Sequence, residues 1–203
     1  MKLLLHVTRD YPPLSKGGIS TAVGGLARAG VAAGHRVWVV SFDAWRPKAH
    51  PGGMPLAEAK TQAGVVVQRV RAPHHVLQLT ETLQALAPAV VQVHHGMLWQ
   101  AARSWAIAAP HLLMVHVVQA EMNRLRGVSE TLSASAQSAA LMDADAVAVP
   151  SAEAAALLAK HHPALPHRVQ VLPLGVDLKL SIDDQEGERR RGRQGDDSAT
   201  SGC

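Results

Sequence analysis

Seven short apolar runs, most of them rich in valine, alternate along this chain with segments of helical character. Runs that are continuously apolar are typical of strands that are buried on both faces of a sheet. Alternation of such strands with helices predicts right-handed crossovers and a parallel sheet. We therefore predict an α/β fold with a Rossmann-like, doubly wound parallel sheet of about seven strands. The predicted strands cover residues 3–8, 36–42, 65–71, 90–94, 112–118, 146–149 and 169–172.

Helical segments follow most of these runs. We predict that Gly34 ends the first helix. The stretch 43–64 is rich in proline and glycine, and it predicts an irregular loop or a hairpin at one edge of the sheet. The predicted helices cover residues 20–33, 77–86, 98–108, 129–142 and 152–160.

The loop after the first predicted strand carries Tyr-Pro-Pro at 11–13 and then Lys16, Gly17 and Gly18, which open into a helix. Two glycines at such a turn let the backbone come close to a ligand, since neither has a Cβ atom. The free N–H groups at the helix start favour phosphate, and Lys16 adds a formal cation. A plain tight turn explains the glycines equally well, and the spacing fits neither of the two common phosphate loops, G-x-G-x-x-G and G-x-x-x-x-G-K-[ST].

Polar side chains gather where the predicted strands end. In a doubly wound sheet, ligands bind beyond the carboxyl ends of the strands, so these residues are candidates for a site. Each also has a structural explanation, such as a hydrogen-bonded core histidine, a strand cap or a charge at a helix start. The candidates are Tyr11 after strand one, Asp43 after strand two, His94 and His95 after strand four, and His116, Gln119, Glu121 and Asn123 after strand five.

Composition argues against several functional classes. The net charge is only +4, and no basic stripe interleaved with aromatic residues indicates nucleic-acid binding. Mild basicity suits nucleotide diphosphates or a lipid surface, although no other feature supports a membrane partner. Neither adjacent histidine pair, 94–95 or 161–162, has a chelating spacing, so no metal is expected. The single cysteine is Cys203 and no apolar run resembles a signal peptide or a transmembrane span, which predicts a cytoplasmic protein.

The chain changes character at residue 178. Of the 26 residues in 178–203, 11 are charged, and only Leu178, Leu180 and Ile182 are large and apolar. Three such side chains cannot offset an ordering entropy of about 1–2 kcal/mol per residue. We therefore predict a folded domain over 1–177 and a charged, disordered tail over 178–203, with disorder from residue 183 onward.

Five motifs, in order and at the expected spacing, resemble the N-terminal domain of family 4 glycosyltransferases, and related loops occur in bacterial glycogen and starch synthases. The resemblance covers almost all of residues 1–177. The motifs are Tyr-Pro-Pro with Lys-Gly-Gly, Ala-Gly-His-Arg-Val-Trp-Val-Val at 33–40, Val-Val-Gln-Val-His-His-Gly at 90–96, Ala-Asp-Ala-Val-Ala-Val-Pro-Ser at 144–151 and Val-Leu-Pro-Leu-Gly-Val-Asp at 171–177.

The resemblance implies a GT-B enzyme, in which two Rossmann-like domains face each other across a cleft. Such an enzyme transfers a sugar from a nucleotide-diphosphate sugar to a glycan or another acceptor, with no further cofactor. It implies that Lys16, Gly17 and Gly18 approach the donor diphosphate and that His116 is catalytic, beside the transferred sugar. On the acceptor side it implies Tyr11, His95, Glu121 and Asn123.

In this family, Gly-Val-Asp leads into a C-terminal domain that grips the donor, whereas here the charged tail follows it. We therefore expect a truncated enzyme with little activity of its own, unless a separate chain supplies the second domain. Two alternatives stay open. One is a non-catalytic remnant or binding module. The other is a nicotinamide-binding oxidoreductase, in which Asp43 would bind the ribose.

Overall fold

The structure is a computed structural model that describes residues 1–14, 17–43, 58–71, 74–166 and 168–174. Its strands form one sheet in the order β3-β4-β2-β1-β5-β6-β7-β8. All neighbouring strands in it are parallel except β3 and β4, which form an antiparallel pair. The strands are β1 Leu3–Thr8, β2 Arg36–Ser41, β3 Lys60–Gln62, β4 Val65–Arg69, β5 Val90–Val93, β6 His111–Met114, β7 Ala146–Val149 and β8 Val169–Val171.

The sheet confirms the predicted α/β, Rossmann-like fold, and each predicted strand overlaps an observed one, although β6 begins one residue earlier than predicted and ends at Met114. The additional strand is β3, at the edge of the sheet, where the sequence allowed a loop or a hairpin. Ala63 and Gly64 turn the chain between β3 and β4, and both have a positive φ, of 47° and 78°. Two such residues form the type of turn that suits a two-residue hairpin. The alanine at the first of these positions concealed the turn, because alanine seldom adopts a positive φ.

Helices cover both faces of the sheet, and several differ from the prediction. The segment predicted as one helix over 77–86 forms two short ones, and the helix predicted over 98–108 stops at Ser104, shortly before Ala106 adopts a φ of 49°. The helix α5 was not predicted. The helices are α1 Gly18–Ala32, α2 His74–Gln78, α3 Thr80–Ala85, α4 Trp99–Ser104, α5 Gln119–Arg126, α6 Leu132–Asp143 and α7 Ala152–His161, with a 3₁₀ turn at Gly96–Leu98.

Two apolar clusters hold the layers together, one on each face. On the smaller one, Val23 and Ala27 of α1 pack against valines of β2 and β4. On the larger one, Trp99 and Trp105 are almost fully buried among side chains of β1, β5, β6 and β7. Both indole N–H groups are satisfied, since Trp99 donates to Asp143 at 2.8 Å and Trp105 donates to the Val76 carbonyl at 2.7 Å. The packed sheet therefore fixes the positions of the residues that follow its strands.

No helix in the described part of the chain combines the length and the apolar character that crossing a bilayer requires. The predicted tail over 178–203 lies outside the described residues, and so does Lys16.

Candidate functional site

A pocket opens where β5 and β6 end, beside the start of α1. This is the edge of the sheet at which the sequence predicts a ligand site. Residues from the loop after β5, the loop after β6, the first turn of α1 and helix α6 form its wall. They are Ile19, His94, His95, Gly96, Met114, His116, Val117, Gln119, Ser133 and Gln137.

The two glycines of the first loop lie at the N-terminus of α1. Gly17 is the N-cap in an extended conformation, with φ −79° and ψ 166°, and no side chain in the described part of the chain caps the helix. Both Gly17 and Gly18 are exposed, and a Cβ atom on either would meet nothing within 4 Å. Packing within the described residues therefore does not require glycine at these two positions. Open space beside an uncapped 15-residue helix is what the approach of an anion needs.

An ion pair beneath this loop holds its first residues in place. The Asp43 carboxylate pairs with the Arg69 guanidinium and accepts a hydrogen bond from the Tyr11 N–H at 3.3 Å. Arg69 also donates to the Pro12 carbonyl at 2.9 Å. The Asp43 side chain is only 4% exposed, and its Oδ2 atom takes both contacts, while Oδ1 is buried without a hydrogen-bond partner among the described residues. In the oxidoreductase alternative, the carboxylate of Asp43 would have to be free to bind a ribose, whereas here it is buried in an ion pair with Arg69.

The Tyr11 side chain lies in the smaller apolar cluster, where burial raises the pKa of its hydroxyl. It is 4% exposed and does not belong to the pocket wall. Its predicted role on the acceptor side therefore has no direct geometric support from the pocket.

Gly96 allows helix α6 to approach the loop after β5. A Cβ atom on Gly96 would lie 2.7 Å from the Cα and 3.0 Å from the N of Gln137. Before it, His95 accepts a hydrogen bond from the Met97 N–H at 3.2 Å through Nδ1, which caps the 3₁₀ turn. His95 thus both caps this turn and lies in the pocket wall. The role of Gly96 was not predicted from the sequence, although this glycine directly follows two histidines that were site candidates.

Gln137 fixes the loop that carries His116. Its side-chain oxygen accepts from the Gln119 N–H at 2.9 Å, and its amide nitrogen donates to the Val117 carbonyl at 2.9 Å. The loop after β6 is therefore bound on both sides of Val118 to one buried side chain of α6. No signal in the sequence pointed to Gln137, since a glutamine in a helix is ordinarily a surface residue.

Three histidines form a hydrogen-bonded row that ends in the pocket. The Nδ1 atom of His6 lies 3.0 Å from Nε2 of His94, and Nδ1 of His94 lies 3.0 Å from Nε2 of His116. His6 and His94 are 1% and 2% exposed, whereas His116 is partly exposed. Of the two histidines after β5, His94 is thus the one that turns inward. His6 was not predicted as a site residue, although a histidine within an apolar strand is unusual enough to be noticed in the sequence.

These histidines are neutral near pH 7. Burial lowers the pKa of His6 from 6.5 to about 4, and burial together with the charge of His95 lowers that of His116 to about 4. Burial lowers the pKa of His94 well below 6.5, and it lowers that of His95 as well. The pocket therefore offers neutral imidazole groups, which can donate or accept a hydrogen bond.

Glu121 and Asn123 lie on α5 but do not line the pocket. Glu121 pairs with Arg124 at 2.5 Å and with His161 at 2.6 Å, and these hydrogen bonds lower the pKa of its carboxyl to about 2. Asn123 is buried and exchanges hydrogen bonds with Thr131, the N-cap of α6, at 3.2 and 3.3 Å. From this helix, Gln119 is the residue that contributes to the pocket wall.

Among the residues that the structure describes, no three histidine, cysteine or acidic side chains come together as metal ligands would. The polar groups of the pocket wall are three imidazoles, two amides, the Ser133 hydroxyl and the backbone. Such groups suit a neutral polar molecule such as a sugar, and the uncapped helix start next to them suits an anion.

Comparison with solved structures places the fold among two-domain glycosyltransferases. Sucrose-phosphate synthase from Thermosynechococcus elongatus superposes with a TM-score of 0.65 at 14% identity, covering 89% of this chain and 50% of that one. The catalytic domain of starch synthase IV from Arabidopsis thaliana, bound to ADP and acarbose, gives a TM-score of 0.51 at 14% identity, with 88% and 52% covered. An E. coli trehalose-6-phosphate protein bound with UDP-2-fluoro glucose gives 0.51 at 10% identity, with 87% and 50% covered.

The chain spans about half the length of these proteins, and it matches the N-terminal, Rossmann-like half of the GT-B fold. A comparison with curated protein sequences finds no match. The family model described as Glycosyltransferase Family 4 matches residues 16–180, which is most of the chain. The chain therefore belongs to glycosyltransferase family 4.

Proposed function

We propose that this domain forms one wall of a glycosyltransferase site that transfers a sugar from a nucleotide-diphosphate sugar to a glycan or another hydroxyl-bearing acceptor. One observation carries the proposal. The pocket at the carboxyl ends of β5 and β6 brings His116 and the start of α1 to the same cleft. This arrangement combines a place for a sugar with a place for a phosphate.

Family membership and the ligands of two solved relatives support this donor class. The starch synthase structure holds ADP, and the E. coli structure holds UDP-2-fluoro glucose. We extend from them only the chemical class, a nucleoside diphosphate linked to a sugar. Whether the base is uracil, adenine or guanine is a matter for the assay.

In this proposal Gly17 and Gly18 let the donor diphosphate approach the N-terminus of α1, with Lys16 beside it. His116 contacts the transferred sugar, and His95 faces the acceptor. Tyr11, Glu121 and Asn123 act on the acceptor side only indirectly, by holding the first loop and helix α5. Their side chains are engaged in the apolar cluster, with Arg124 and His161, and with Thr131 respectively.

Transfer also needs groups opposite this wall. During transfer, negative charge develops on the departing nucleotide diphosphate and positive charge on the sugar. Hydrogen-bond donors or cations must therefore surround the diphosphate, and acceptors or anions the sugar. In the solved relatives about half of the protein lies beyond the part that this chain matches. We therefore propose that turnover requires a second, donor-binding domain, and that the isolated 203-residue chain binds substrates but transfers little.

An activity assay tests this proposal. The purified chain is incubated with UDP-, ADP- and GDP-sugars and a panel of glycan acceptors, alone and together with a separately produced donor-binding domain. We expect sugar transfer only in the mixture, and a fall of at least about tenfold for His116→Ala, a loss of roughly 1.4 kcal/mol in transition-state stabilisation.

The matched control is His35→Ala. It removes the same type of side chain at the amino-terminal ends of the strands, just before β2 and opposite the ends that form the pocket. Equal activity of the His116 and His35 variants would contradict a role for the pocket. Absence of transfer and of donor binding under all conditions would favour the alternative of a non-catalytic remnant or binding module.

A further inference from the structure

The row of three histidines connects the pocket with the interior of the sheet. His6 lies on β1, His94 follows β5 and His116 follows β6, and the rings lie nearly parallel with centroids 5.3 Å apart at each step. In both contacts an Nδ1 atom faces an Nε2 atom at 3.0 Å. At the interior end, Nε2 of His6 is buried and has no hydrogen-bond partner among the residues that the structure describes. At the other end, Nε2 of His116 faces His94, which leaves Nδ1 for a bound molecule.

Proton counting restricts this row to two states. A neutral imidazole carries one proton, and each ring-to-ring hydrogen bond needs one proton between its two nitrogens. In the first state every Nδ1 carries the proton, so His6 donates to His94 and His94 donates to His116. In the second state every Nε2 carries it, and the direction of both hydrogen bonds reverses. A mixed arrangement would put two protons or none between a pair of nitrogens.

The interior end decides between the two states. In the first state the unpartnered Nε2 of His6 is a lone pair, whereas in the second it is a buried N–H group. A buried donor without a partner is the rarer case in proteins, and an acceptor without a partner is better tolerated. We infer that the closed interior end of the row, where Nε2 of His6 is buried without a partner, fixes the direction of the hydrogen bonds along it. His94 then donates to His116, and His116 presents its Nδ1–H to an oxygen atom in the pocket.

This inference rests on the proposed function for the identity of the bound molecule and adds the role of each ring. His116 is a hydrogen-bond donor, and the group that it meets is a hydroxyl or phosphate oxygen of the nucleotide sugar. It is not a base, because Nδ1 already holds a proton in the neutral ring. His94 is a positioning residue, because both of its ring nitrogens face other histidines and it acts on the bound molecule by selecting the tautomer of His116.

Long-range ¹⁵N–¹H NMR spectra of the full chain at neutral pH test the inference directly. Protonated and unprotonated ring nitrogens have well-separated ¹⁵N shifts, so each tautomer can be read from the free protein. We expect the proton on Nδ1 in His6, His94 and His116. A proton on Nε2 of His116, or a charged ring there, would overturn the inference even if nucleotide sugars bind.

Two variants separate the positioning role from a merely structural one. In His94→Phe the Nε2 atom of His116 loses its partner in a ring that is partly exposed, so water can serve either nitrogen and we expect a mixture of both tautomers at His116. In His6→Phe the Nε2 atom of His94 loses its partner in a ring that is only 2% exposed, so the interior end stays closed and His94 and His116 should keep their Nδ1 protons. A change of tautomer in His6→Phe would refute the closed end as the cause. Should either variant fail to fold, the wild-type spectrum still decides the direction of the row.

Titration with UDP-glucose adds a functional readout. We expect His94→Phe to bind it roughly two- to tenfold more weakly than the wild type, the range of one hydrogen bond, while the control His35→Ala binds normally. Unchanged binding in a folded His94→Phe variant with a mixed tautomer would remove the proposed donor role of His116. Failure of every nucleotide sugar to bind the wild type would refute the proposed function, while the tautomer result would stand by itself.

Discussion

At the scale of single residues, the pocket depends on a few side chains that are held by others. His116 lies in the wall, but Gln137 holds the loop around it and His94 occupies one of its ring nitrogens. Gly96 lets the helix that carries Gln137 come close enough for these contacts. The geometry of the pocket thus depends on contacts among the residues of its own wall.

Gly96→Ala tests this close approach. The new Cβ atom would meet backbone atoms of Gln137 at 2.7 and 3.0 Å, and backbone cannot move aside cheaply. We expect a loss of about 1–3 kcal/mol in the free energy of unfolding, measured by urea denaturation. The control is Gly25→Ala in helix α1, where a Cβ atom meets nothing within 4 Å. This control should be neutral or stabilising by up to about 1 kcal/mol, and equal losses in both variants would contradict the account.

At the scale of secondary-structure elements, the start of α1 is the clearest case of a feature that packing does not explain. A Cβ atom on Gly18 would meet no atom within 4 Å, so Gly18→Ala should leave the stability of the domain unchanged. If the donor diphosphate approaches this backbone, the added methyl group should weaken its binding about tenfold, or 1.4 kcal/mol. Calorimetric titration with nucleotide sugars measures this change in affinity. Unchanged affinity would indicate that the two glycines form a plain turn and do not contact the donor.

The ion pair of Asp43 and Arg69 joins β2 and β4 to the first loop. The side chains are 4% and 15% exposed, so Arg69→Met leaves a buried carboxylate without its cation. We expect a loss of about 3–5 kcal/mol in the free energy of unfolding. The double variant Arg69→Met with Asp43→Asn should recover part of this loss, since no buried charge remains unpaired. A double variant that loses the sum of both single effects would argue against a coupled pair.

Much of the fold could be predicted at this scale, and the reasons for the failures are physical. Continuous valine runs identified the buried parallel strands, because only a strand covered on both faces can be apolar throughout. The end of α4 and the β3–β4 turn were missed because Ala106 and Ala63 adopt a positive φ, which alanine rarely does. Helix α5 was missed because its residues are mostly polar, although a charge at a helix start was one explanation given for the candidates in this stretch.

The site could be predicted only in part. Position after a strand was enough to find His95 and His116, which line the pocket. It could not tell which neighbouring histidine turns inward, nor that His6, 88 residues before His94, would contact it. The partners of Glu121 and Asn123 depend on how α5 packs against α7 and α6, and no local pattern encodes that packing.

At the scale of the whole molecule, the buried histidines make stability depend on pH. The pKa values of His6 and His116 fall from 6.5 to about 4 on folding, and burial lowers that of His94 too. Between pH 6.5 and about 4 the unfolded chain therefore binds more protons than the folded one, so stability falls as the pH falls through this window. Above pH 6.5 the contribution is complete. For His6 alone the shift corresponds to about 3 kcal/mol.

Urea denaturation at several pH values between 7 and 4 measures this dependence. His6→Phe should flatten the curve, since one buried ionisable group is gone. A stability that stays constant from pH 6.5 to 4.5 would show that the row of histidines is not buried and neutral in the folded chain.

The central claim is that the cleft between α1 and the ends of β5 and β6 binds a nucleotide sugar. The most direct measurement is an NMR titration of the ¹⁵N-labelled full chain with UDP-, ADP- and GDP-sugars. The account predicts that at least one of them shifts the signals of Gly17, Gly18 and His116, and that His35 at the opposite edge stays unperturbed. Binding of none of them, or shifts confined to residues outside this cleft, would contradict it.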